Sequence, residues 1–188
     1  AKGVYDVDSI NMINMVQTMR DESKFQGGAD IKNPPKMFIG AAANPFADPF
    51  ELRVMRLAKK VAAGVDFIQT QCIFNLDKFE KWMEGVCDRG LDKKVHILAG
   101  ITPMKSLGMA RYMKNKVPGM DVPDDVIKRL EGVSKEKQPE EGIKMAIEQM
   151  ERLKECKGVA GFHIMAIEWE QRVPEIVEQA GLYPRPEV

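Results

Sequence analysis

The polar side chains best placed to do chemistry in this 188-residue chain gather where apolar runs give out. Asn44 follows the run 37–43, Gln69 to Asn75 end the run 67–71, Thr102 to Lys105 follow 95–101, and Ile167 to Glu170 end 159–167. They offer amides, a hydroxyl, a lysine and carboxylates, a set suited to orienting a small polar molecule. Gln71 is the odd one, an amide where an apolar strand should still be buried. A buried amide finds partners or costs about 1–3 kcal/mol, so Gln71 either bonds a neighbouring strand's side chain or serves a ligand. Arg53, Arg56, Lys59 and Lys60 crowd one helix pattern, which by itself reads first as a solvated face. His96 falls early in its run, far from the strand-end loops, and points to a structural role. His163 lies mid-run, as a core residue would. There is no Ser/His/Asp spacing, metal-ligand cluster or phosphate-binding glycine loop. Cys72, Cys87 and Cys156 are widely spaced without a CxxC, which points to a reducing cytoplasm and no structural zinc.

The elements that must position these groups follow from periodicity. Each apolar run has the β-branched density of a strand buried on both faces, and amphipathic helix patterns separate the runs, a βαβα layout that demands parallel strands. A helix over 8–21 precedes them, with no strand yet to dock on. The clearest helix start has Asp48 as cap, Pro49 at the first position and Glu51 reaching back, with Gly64 closing the helix. Further helices are expected over 77–88, 107–114, 123–130 and 140–157, the middle pair an excursion from the repeat. Ligands of such sheets collect at the C-terminal strand ends. The fold class is therefore α/β, and four βα units make half of an eight-stranded (β/α)₈ TIM barrel, which usually takes about 250 residues. Residues 1–188 are expected to form a single domain, either a fragment of a longer barrel or a natural short protein. With 28 basic and 28 acidic residues the net charge is zero, and there is no basic stripe for nucleic acid and no run long enough for a membrane.

In order and spacing, the strand-end segments resemble the methylenetetrahydrofolate reductase family. The carrying stretches are Gly3-Val4-Tyr5-Asp6, Gly40 to Pro45, Ala63 to Gln71, Ala99 to Pro103, Pro118 to Pro123, and Gly161-Phe162-His163. The resemblance implies a flavin-binding (β/α)₈ barrel of which this chain supplies the last four βα units. It also implies flavin-dependent reduction of 5,10-methylenetetrahydrofolate to 5-methyltetrahydrofolate, with FAD as cofactor and FMN as the alternative. Residue by residue, Gln71 falls on the glutamine that binds the pterin ring, Lys60 on the pyrophosphate-contacting lysine, and Arg56 and Lys59 on neighbouring flavin contacts. Tyr5 and Asp6 match a flavin-lining segment, while Asn44 and Asp48 occupy positions where the family often has Tyr and His.

Departures are equally specific. Arg53 replaces a family aspartate near the flavin ribose, Leu107 a substrate-stacking aromatic, and Ile167-Glu168-Trp169 a Leu-Asn-Arg that touches substrate. These leave NAD(P)H and an electron-donating partner protein as alternative donors. The family's first-strand acid and strand-four aspartate have no counterpart here, so the chain alone is expected to be inactive and to join an oligomer or hetero-complex. Two other readings stand beside this one: a non-catalytic half-barrel subunit that completes or regulates a partner, and another pterin-binding barrel such as a methyltransferase.

Overall fold

The apolar runs become four strands, β1 (Gly40–Ala43), β2 (Phe67–Cys72), β3 (His96–Ile101) and β4 (Val159–Ile164). All pair in parallel in the order β1-β2-β3-β4, so the α/β class with a parallel sheet holds. The structure is a computed structural model that describes residue 3 and residues 6–184. Helices α1 (Ser9–Asp21), α2 (Glu51–Ala62), α3 (Leu76–Asp88), α4 (Leu107–Lys116), α5 (Asp124–Glu131), α6 (Gln138–Lys154) and α7 (Val173–Gln179) alternate with the strands. None of them is long and apolar enough to cross a membrane.

Burial alternates along β1 and β2, and no residue of β4 is fully buried, so both faces are not covered. On β2, Ile68, Thr70 and Cys72 are buried, whereas Phe67, Gln69 and Gln71 are only half-buried. The expectation of strands enclosed on both faces is corrected accordingly: the helices cover one face, and the other, carrying every second side chain, stays accessible. On the covered face Ile68, Ile97, Ala99 and Ile101 pack with Leu57 of α2, Phe79, Trp82 and Val86 of α3, and Ile143, Met150 and Leu153 of α6. A second apolar cluster, around Met104, Ala110, Met113, Val126 and Leu130, holds α4 and α5, the expected excursion between β3 and α6.

Several local expectations change for identifiable reasons. The first strand starts at Gly40, not at 37, because backbone groups before it are satisfied by side chains. Asp66 accepts from the Ile39 N–H (2.7 Å), and Arg20 donates to the Met37 carbonyl (3.2 Å) and to Asp66 (2.5 Å). Those same contacts dock α1, whose Ile13 is buried in the main core, so this helix does find a seat beside β1. Asp48 does not cap α2. Phe50 holds the cap position with no side-chain bond, and the first-turn N–H groups of Leu52 and Arg53 go instead to the Pro49 and Phe50 carbonyls (3.2 and 3.0 Å). Asn75 and Ser106 do cap α3 and α4, accepting from Lys78 and Met109 N–H groups at 3.0 and 3.2 Å. The last strand stops at Ile164, and the chain then turns through Glu168 at a left-handed φ of 50°.

Candidate functional site

A cleft of about 430 Å³ opens over the C-terminal ends of β1, β2 and β4, within the range of small-molecule sites. Its floor is the accessible sheet face and its wall is α2. Arg53, Arg56 and Lys60 fall at i, i+3 and i+7 of that helix and all line the cleft, a cationic stripe about 10 Å long at 1.5 Å per residue. No carboxylate lines it among the described residues. Lys60 donates to the Ala42 carbonyl at 2.5 Å. Its pKa lies below that of an ordinary lysine, first because burial penalises the charged ammonium and then because Arg56 repels it. Arg53 is anchored by bonds from its guanidinium to the carbonyls of Asp48 (3.2 Å) and Pro49 (3.4 Å). Three basic side chains in a cleft lined by no carboxylate suit a phosphate or another dianion.

The sheet contributes Gln69 and Gln71 from β2, His163 from β4 and Met165 just beyond it. Gln71, expected as a buried amide, is half-buried because its position in the alternation turns it to the accessible face; its Oε1 accepts from the Cys72 N–H at 3.2 Å. Asn44 also lines the cleft, but its amide is used by the protein: Oδ1 accepts from Phe46 N–H (2.9 Å) and Nδ2 donates to the Gly119 carbonyl (3.1 Å). His163, read from sequence as core, instead borders the cleft, and its Nδ1 is enclosed without a partner among the described residues.

The remaining sequence candidates lie elsewhere. Lys59 is exposed and, with Arg56, lies near Asp8 at the start of α1, whose carboxyl is held below the usual range chiefly by the Asn11 and Ile10 N–H groups. Asp6 and Asp48 are exposed outside the cleft. Leu107 opens α4 and packs on the second apolar cluster. Glu168 is exposed, its carbonyl accepting from Lys105 at 3.1 Å. Tyr5 lies outside the described residues. His163 and Met165 were missed as site residues, whereas Gln69 was among the strand-end groups singled out from the sequence. The register that sets His163 beside Gly100 is not visible in the sequence. No group of three or more His, Cys, Asp and Glu side chains could hold a metal among the described residues, and the three cysteines are free thiols.

Comparison with known proteins gives this cleft a family. The chain is 29% identical over 154 residues to methylenetetrahydrofolate reductase 1 of Schizosaccharomyces pombe, covering 77% of this chain and 24% of that protein. It is 26% identical over 155 residues to methylenetetrahydrofolate reductase 2 of Saccharomyces cerevisiae, covering 78% and 25%. The chain thus spans about a quarter of the length of the curated relatives it matches. In fold it is similar, at a TM-score of 0.54 and 14% identity, to an uncharacterized protein from Clostridium thermocellum that binds two copies of 5-methyl-5,6,7,8-tetrahydrofolic acid; the match covers 92% of this chain and 68% of that one. The methylenetetrahydrofolate reductase model matches residues 8–181, all four strands and the cleft between them, and the chain belongs to that family.

Proposed function

We propose that this chain forms the flavin- and folate-facing part of a (β/α)₈ reductase that converts 5,10-methylenetetrahydrofolate to 5-methyltetrahydrofolate. The observation that carries the reading is the cleft itself, with three cations and no acid on the α2 wall facing strand-borne amides on the floor. The donor set fits a flavin: Arg53, Arg56 and Lys60 would hold its phosphate end, and Gln71 would meet the flat polar ring of the folate. When bound, the flavin supplies the hydride. The chain's own part is to neutralise phosphate charge, align the two rings at the strand ends and exclude water from between them. The electrons reach the flavin from NAD(P)H or a partner protein. The accessible sheet face, in this reading, is the inner face of the barrel.

Binding separates the two halves of the assignment. FMN and FAD are titrated by quenching of flavin fluorescence, and 5-methyltetrahydrofolate by calorimetry, with melting temperature followed throughout. Lys60→Ala should weaken flavin by about tenfold or more, the scale of a lost charge-assisted hydrogen bond of ~1.5–3 kcal/mol, and leave folate nearly unchanged. Gln71→Leu should do the converse. Wild-type protein that takes up neither ligand, or variants that lose both equally while keeping their melting temperature, would refute the assignment.

A further inference from the structure

The strand that carries Gln71 is irregular at that point. Gln69 pairs with Leu98 and Cys72 with Gly100, so Thr70 and Gln71 together face Ala99 alone, a bulge. Bulges disturb the ladder and re-aim side chains, and here three of the disturbed backbone groups turn to side chains. The Thr70 hydroxyl, buried at 3% exposure, accepts from the Gly100 N–H at 2.8 Å and donates to the Gln71 carbonyl at 3.0 Å. It stands where a direct ladder bond would otherwise run. Gly100 permits the approach: a Cβ there would lie 2.6 and 2.7 Å from the carbonyl oxygens of Thr70 and Gln71. The remaining backbone donor, Cys72 N–H, goes to Gln71 Oε1 at 3.2 Å.

That last bond fixes the chemistry of the amide. A backbone N–H can only donate, so the amide atom facing it must be the oxygen. The Nε2 end is then left for the cleft, where it can only donate in turn. We infer that the bulge makes Gln71 an obligate hydrogen-bond donor to the ligand, so the ligand must present a carbonyl or ring nitrogen there, and that Thr70 and Gly100 are positioning residues that hold this polarity. The inference refines the folate-facing role given to Gln71 above and rests on it for the identity of the ligand, though not for the direction of the amide.

Four variants and three readouts test it on the whole chain. Thr70→Val keeps shape but removes the hydroxyl, Thr70→Ser restores it, and Gln71→Glu replaces the donor by an acceptor while still offering an oxygen to Cys72. Binding of 5-methyltetrahydrofolate should weaken about tenfold in Thr70→Val and at least as much in Gln71→Glu, and recover in Thr70→Ser, on the scale of one hydrogen bond. Inorganic pyrophosphate, as a probe of the α2 cations, should bind Thr70→Val within about twofold of wild type. Hydrogen exchange at the Cys72 amide reports the arrangement without any ligand. It should accelerate in Gln71→Met and stay slow in Gln71→Glu. Unchanged folate affinity in Gln71→Glu or Thr70→Val, or unchanged Cys72 exchange in Gln71→Met, would overturn the inference. A wild-type protein that ignores folate but shows the predicted exchange pattern would instead sink the folate reading and leave the amide's direction intact.

Discussion

Lys60 shows how one side chain inherits conflicting demands. It lines the cleft, where in the proposed role its charge would serve an anion, yet it is half-buried beside Arg56, and both features lower its pKa below the ordinary lysine value. The two consequences run in opposite directions on the alkaline side. A base whose folded pKa is depressed is deprotonated in the folded state while the unfolded chain still holds the proton, so stability rises with pH between the depressed value and 10.5. Anion binding needs the charge and fades over the same interval. Pyrophosphate affinity of the wild type should therefore drop as pH rises through a midpoint below that of a free lysine. Lys60→Arg, which stays charged, should flatten the profile across that window. A wild-type profile that is flat up to the ordinary lysine range would show that Lys60 does not carry the anion.

At the scale of elements, α6 is the helix whose position depends most on a missing side chain. Gly142 lies against the Met104 carbonyl just past β3, and a Cβ at 142 would overlap that backbone oxygen. Neither group is the flexible end of a side chain, so α6 must shift, and with it Ile143, Ala146 and Met150 of the main core. Gly142→Ala should cost about 1–3 kcal/mol, the scale of overpacking, which for a chain of this size lowers the melting temperature by roughly 2–12 °C. Gly27→Ala, with open space around it, should change it by no more than about a degree. Equal melting temperatures for both variants would mean that α6 does not sit as tightly on the β3 end as the geometry requires.

At the scale of the whole molecule, the sheet has two outer edges and one accessible face among the described residues. Ile39 bonds to β2 through its carbonyl, so by the alternation of a parallel strand Ala42 turns its carbonyl away from β2, and Lys60 covers it. Beside that edge a cleft of about 390 Å³ is lined by Met12, Ile13 and Val16 of α1 and by Met37 and Phe38, with Phe38 76% exposed. Unpaired edges flanked by apolar surface favour association. Purified protein should therefore self-associate with rising concentration in sedimentation experiments, and Phe38→Lys should raise the monomer fraction. A wild type that stays monomeric throughout would count against an exposed docking edge.

Much of this molecule was legible in the chain because periodicity is local. The strand-forming runs, the helices between them and the glycine that closes α2 all depend on neighbours within a few residues. The cationic face of α2 and the amide at Gln71 were visible for the same reason, and the order of strand-end segments carried the family. What the chain alone left open depends on registers and distant partners. Asp66 and Arg20 delayed the first strand by taking its backbone groups, and carbonyls rather than Asp48 served the first turn of α2. Which of Asn44, Gln71 and Glu168 shares a cleft with Lys60 was settled by how β1, β2 and β4 line up. Side-chain type is written locally, but direction is not: a single extra residue in β2 relative to β3, held by a threonine and a glycine thirty positions apart, decides what the Gln71 amide offers a ligand.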